Sequence, residues 1–183
     1  MSDKTAQSEQ NVVADDAISS RYAELLSARQ NLGGESGDED RGVLHQLILF
    51  KLSSKRVAMA IEHLREVVPL PKIGGITPIP TAPEYVMGLG NLRGRVLTLI
   101  DLHGYLGMGR VTNSELAKVL VVYEGKEQLG ILVEEVEDIV EASDRDIHPG
   151  EPSLHPDLKN LLDAEVMRDG GLTPMVDLTR MLR

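Results

Sequence analysis

Cysteine is absent from this chain. Disulfide frameworks, thiolate nucleophiles and thiolate metal sites are absent with it. Tryptophan is also missing and phenylalanine occurs once, so aromatic residues make up 3% of the sequence. The core must therefore be aliphatic, and the stacking platforms used by single-stranded nucleic-acid binders are not available. Lys and Arg number 19 against 29 Asp and Glu, a formal net charge of −10. That balance argues against a phosphate-backbone partner, which clustered cations would have to hold. No apolar run approaches the ~20 residues of a membrane span. The start, Met1-Ser2-Asp3-Lys4-Thr5-Ala6-Gln7, lacks the apolar centre of a signal peptide. The expectation is a soluble, cytoplasmic protein.

What is present is a 183-residue chain that is 42% hydrophobic, enough for one domain or two small ones. Residues 1–42 differ from the rest and read as an extension. Residues 1–16 are polar. Residues 19–29 could form a short helix capped by Ser19 or Ser20, with Tyr22, Leu25 and Leu26 on one face. Residues 31–42 carry four glycines and four acids and read as a linker. The ordered domain is expected over residues 43–183.

From Leu44 the pattern becomes strand-like. Leu47-Ile48-Leu49-Phe50-Lys51-Leu52 and Arg56-Val57-Ala58-Met59-Ala60-Ile61 flank a Ser53-Ser54-Lys55 turn and read as a hairpin. Pro69, Pro71, Pro78 and Pro80 mark a loop, and Ala82-Pro83-Glu84-Tyr85-Val86-Met87 reads as one helical turn ending at Gly88. The plan then repeats. Residues 48–68 align without a gap with residues 120–140, pairing apolar with apolar at positions such as Ile48/Leu120, Val57/Leu129, Ile61/Val133 and Val68/Val140. Met175-Val176-Asp177-Leu178 echoes Leu99-Ile100-Asp101-Leu102 at an offset of 76. Two strand-rich units follow, each of about five short strands. Closing each into a small barrel would remove its exposed edges.

The most informative stretch runs from Tyr85 to Leu102. Asn91-Leu92-Arg93-Gly94 reads as a tight turn, because Asn and Gly tolerate left-handed backbone. Arg95-Val96-Leu97-Thr98-Leu99-Ile100 reads as a buried strand, with Asp101 capping a short helix up to Leu106. The glycines here do not form a dinucleotide fingerprint: Gly94 comes one residue late, and a strand follows where a helix is required. His45, His63, His103, His148 and His155 show no metal-ligand spacing, and the acidic run from Glu134 to Glu141 lacks the glycine bend of a calcium loop. No nucleophile-and-base constellation is present, so neither cofactor nor metal is expected. Arg93 has two readings that can both hold: a guanidinium on a carboxylate such as Glu66 that steadies the turn, or an interface contact.

With Gly88, then Asn91-Leu92-Arg93-Gly94, then a hydrophobic strand ending in Asp101-Leu102, the segment strongly resembles the signature of the CheW family, the adaptors of bacterial chemotaxis. The resemblance covers residues 44–182. It implies an all-β fold with a few short helices, in which two five-stranded, SH3-like β-barrel subdomains intertwine around a hydrophobic groove. It also implies a non-enzymatic scaffold coupling methyl-accepting chemoreceptors to a CheA-type histidine kinase of the two-component type. The receptor-binding groove would involve Leu64, Glu66, Gly88, Asn91 and Arg93. The kinase's regulatory domain would meet the first subdomain, at no individually marked residues, and like folds could build rings. Nucleic-acid binding and membrane insertion are not expected. The loop from Pro69 to Pro80 is longer than the family's usual form, and the N-terminal extension is similar to those of PilI-like adaptors of twitching motility. The competing reading is a small β-barrel ligand-binding protein or enzyme using the inter-subdomain cleft, which would need convergent polar groups there.

Overall fold

The computed structural model describes residues 42–111, 115–153 and 155–182. The helix expected over residues 19–29 and nearly all of the linker after it lie outside the described residues. Among these described residues, twelve strands form two sheets of six, one strand more per sheet than expected. They are β1 (Leu44–Leu52), β2 (Lys55–Ala60), β3 (Leu64–Pro69), β4 (Gly74–Thr77), β5 (Val86–Leu92), β6 (Arg95–Asp101), β7 (Lys118–Glu124), β8 (Glu127–Val133), β9 (Glu135–Ser143), β10 (Ile147–Pro149), β11 (Leu162–Arg168) and β12 (Gly171–Val176). The additional strands are the short ones. β4 is built from Gly74-Gly75-Ile76-Thr77 inside the segment expected to be loop. The helical turn expected over Ala82 to Met87 does not form. Val86 instead pairs with Ile100 as β5 begins, and its N–H donates to the Pro83 carbonyl at 2.9 Å.

The first sheet has the order β10-β11-β12-β2-β1-β9 and the second β3-β7-β8-β6-β5-β4. Neither sheet comes from one half of the sequence. Hairpins β1–β2 and β7–β8 are the matching starts of the two repeats, and each sends its third strand to the other sheet: β3 pairs with β7, and β9 with β1. The correspondence extends to irregularities. The bulge between Leu64 and Glu66 in β3 recurs opposite Leu49/Phe50 in β9, and the parallel pair Leu99↔Gly130 matches Met175↔Ala58. The duplication legible in the sequence is therefore a pair of repeats that exchange strands.

Each sheet is curled. β9 and β10 are the two edges of the first sheet, yet only Asp144–Asp146 separates them. β3 and β4 are the edges of the second, linked by Leu70–Lys72 and Ile73. The four residue steps from Ser143 to Ile147 span about 14 Å at most and the five from Pro69 to Gly74 about 18 Å, whereas the edges of a flat six-stranded sheet lie about 24 Å apart. Both sheets must bend round into barrels. Their interiors are aliphatic: Leu47, Leu49, Ala58, Val140, Val166 and Met175 in one, and Val68, Leu92, Leu97, Leu99, Val119 and Val121 in the other. The remaining faces of β1 and β7 are buried too, through Ile48, Phe50 and Leu52 and through Leu120 and Val122. Strands covered on both faces need unbroken apolar runs, and that is what these segments show. No helix among the described residues is long and apolar enough to cross a membrane.

Candidate functional site

The turn between β5 and β6 is the two-residue kind that suits strand twist, with Arg93 and Gly94 both at positive φ (52° and 82°). Asn91 closes it, its Oδ1 accepting the Gly94 N–H at 2.9 Å. Arg93 Nη1 lies 2.9 Å from Glu66 Oε2, and Arg95 Nη2 donates to Glu66 Oε1 at 2.9 Å. The carboxylate named as Arg93's partner from sequence is the one it meets. Arg95, the second claimant, carried no motif. Glu66 reaches both because the bulge between Leu64 and Glu66 re-aims the side chain that follows it.

Of the five expected groove residues, three gather at this turn: Glu66, Asn91 and Arg93. Leu64 is only 2% exposed, so it shapes β3 from within rather than offering a contact. Gly88 is buried at φ 135°, and a Cβ there would overlap the Thr77 carbonyl oxygen and lie 3.1 Å from Pro78 Cα. Its role is to let β4 and β5 approach. The outward face of the β5–β6 hairpin carries Leu89, Asn91, Val96 and Thr98, uncharged throughout, with Val96 61% exposed. The corresponding hairpin β11–β12 exposes Met167 and Leu172. At its tip Asp169 stands where Arg93 does, paired with Arg56 at 3.3 Å and with Arg168 at 3.9 Å.

Asp101 caps helix α1 (Leu102–Tyr105), its Oδ1 accepting from the N–H of His103 and of Gly104 and its Oδ2 from Val111. Asp177 repeats the arrangement at Thr179. A cavity of about 360 Å³ lies beside Asp101, lined also by Leu70, Glu84, Val86, Met87 and Arg110. Both oxygens of its buried carboxylate are already engaged by backbone donors. Asp101→Ala strips three backbone N–H groups of their acceptor. It should lower unfolding free energy by about 2 kcal/mol, checked by urea denaturation at unchanged m-value. A loss below about 0.5 kcal/mol would mean that water replaces the cap.

His103 is buried and accepts the Ser53 N–H at 3.0 Å, tying α1 to the β1–β2 turn. Of the acidic run, Glu135 lies 2.6 Å from Lys51, and that hydrogen bond holds the ammonium above the usual lysine range. Glu137 pairs with Arg56.

Two intertwined β-barrels that carry an exposed arginine turn and an uncharged hairpin face define an interaction scaffold. The family model for the CheW-like domain matches residues 46–183, and the chain belongs to that family. Relatives include chemotaxis protein CheW of Rhizobium meliloti (strain 1021), 37% identical over 108 residues, spanning 57% of this chain and 65% of the relative. Chemotaxis protein CheW of Helicobacter pylori is 28% identical, over 72% and 78% of the two chains. The crystal structure of scaffolding protein TtCheW from Thermoanaerobacter tengcongensis superposes with a TM-score of 0.64 at 23% identity, covering 74% of this chain and 90% of that one, and so shares the fold. CheW-family proteins are non-enzymatic scaffold adaptors, and this chain is one of them.

Proposed function

We propose that the protein acts in the cytoplasm as an adaptor coupling methyl-accepting chemoreceptors to a CheA-type histidine kinase, in chemotaxis or twitching-motility signal transduction. The observation that carries this reading is the β5–β6 hairpin. Arg93 stands exposed at its tip, beside an outward face on which Leu89 and Val96 are exposed and no charge is present. An exposed guanidinium at the tip of an uncharged hairpin face suits the side of a receptor helix. The barrel that contains β1 offers the second surface, Met167 and Leu172, for the kinase's regulatory domain. Head-to-tail contact between like folds is the kind of contact that closes into rings.

The test is binding of the full chain to a chemoreceptor's cytoplasmic helical hairpin and to a kinase regulatory domain from the same cell, separately and together. Both should bind, and a saturating amount of one should not displace the other. Failure to bind either, or strict competition between them, would contradict the reading.

A further inference from the structure

Glu66 divides its two oxygens between two guanidinium groups, and those groups are not alike. Arg95 sits on strand β6 and is 36% exposed, with its Nη2 donating to Oε1 at 2.9 Å. Arg93 sits on the turn and is 70% exposed, its Nη1 2.9 Å from Oε2. Glu66 itself is only 15% exposed. The cluster therefore carries one positive charge more than its carboxylate balances, and the most exposed member holds it.

We infer that Arg95 is a positioning residue: it keeps Glu66 compensated, so that Arg93 is free to leave the pair and meet a carboxylate on the partner's helix. This rests on the receptor-binding reading above and adds the chemistry of the contact. A part-buried carboxylate stripped of its only cation is strongly disfavoured, so in a lone Glu66–Arg93 pair the arginine would be held in place. With Arg95 on the other oxygen, Arg93 gives up only an exposed ion pair, which contributes little. Neighbouring groups cannot take over Arg95's role. Arg65 is directed to Gln128, and Asn91 is committed to the Gly94 N–H. Nor does the fold itself demand the cluster. At the corresponding positions of the second repeat stand Asp138, Asp169 and Gly171, where no such triad can form. The complement to an exposed guanidinium at the tip of a hairpin whose outward face is uncharged is a Glu or Asp flanked by apolar residues, gripped in a charge-assisted, two-point contact.

The test compares the native chain with Arg95→Gln and Arg95→Lys. In the free protein, 15N relaxation of the Arg93 Nε–Hε group should report a mobile side chain in the native chain and in Arg95→Lys, and an immobilised one in Arg95→Gln. Titration with a chemoreceptor hairpin should show about ten-fold weaker binding by Arg95→Gln and recovery to within about two-fold by Arg95→Lys. A merely structural arginine would leave Arg93 mobility unmoved. Equal Arg93 mobility in all three proteins overturns the inference, whatever happens to binding. Immobilisation of Arg93 in Arg95→Gln with no hairpin binding by any of the three would leave the compensation intact and remove the receptor reading instead.

Discussion

Arg93→Glu should abolish binding of a receptor hairpin while leaving the fold intact. The side chain is 70% exposed and contributes nothing to either barrel interior. Its loss leaves Glu66 still paired with Arg95 at 2.9 Å, so the stability change should stay within about 1 kcal/mol. At the interface the change is larger, because a guanidinium meant for a carboxylate becomes a second carboxylate. Truncating one partner of a desolvated charge pair costs 2–5 kcal/mol, so reversal should weaken binding by at least about 100-fold. Calorimetric titration, with thermal melts of both proteins, separates the two effects. A fall in affinity accompanied by a comparable fall in melting temperature would make Arg93 a fold residue instead.

Gly88→Ala should do the opposite, removing the fold and only thereby the function. The backbone at φ 135° is a region that L-residues rarely adopt. The new methyl would run into the Thr77 carbonyl, whose carbon would lie 2.8 Å away, and into Pro78. These obstacles are backbone atoms and cannot swing aside. The expected loss is about 3–5 kcal/mol, a large part of the total stability of an ordinary domain. Gly94→Ala is the matched control. Its φ is also positive, at 82°, but nothing lies within 4 Å of the added atom, so about 1 kcal/mol is expected. Urea denaturation of the two variants would show the difference, and equal losses would mean that backbone conformation rather than the Thr77 contact makes Gly88 necessary. The second repeat carries Ala164 at the corresponding bulge, so the bulge alone does not require glycine.

What could be read from the sequence was mostly local. The Arg93-Gly94 turn, the Asp101 and Asp177 caps and the β1–β2 hairpin depend on a few adjacent residues whose conformational preferences are strong. The repeat was legible because the same faces are buried twice. The exchange of β3 and β9 between sheets was not, since an apolar pattern shows which face of a strand is covered but not which strand covers it. β4 was hidden because its glycines carry no periodicity and the prolines around them suggest loop. At the site, Glu66 and Arg93 could be matched by charge and by the turn's exposure. Arg95 could not, because its claim on Glu66 depends on the bulge between Leu64 and Glu66 and on the closing of the barrel. His103 gave no sign of burial either; its partner is a backbone N–H 50 residues away.

The central claim is that this chain joins a receptor to a kinase, and one sedimentation experiment tests it directly. Vesicles displaying a chemoreceptor's cytoplasmic region are mixed with the kinase regulatory domain, with and without the full chain, and pelleted. The account predicts that the kinase domain pellets only when the chain is present, and that Arg93→Glu abolishes this while still binding the kinase domain in solution. A kinase domain that pellets equally without the chain, or stays in the supernatant with it, would contradict the account.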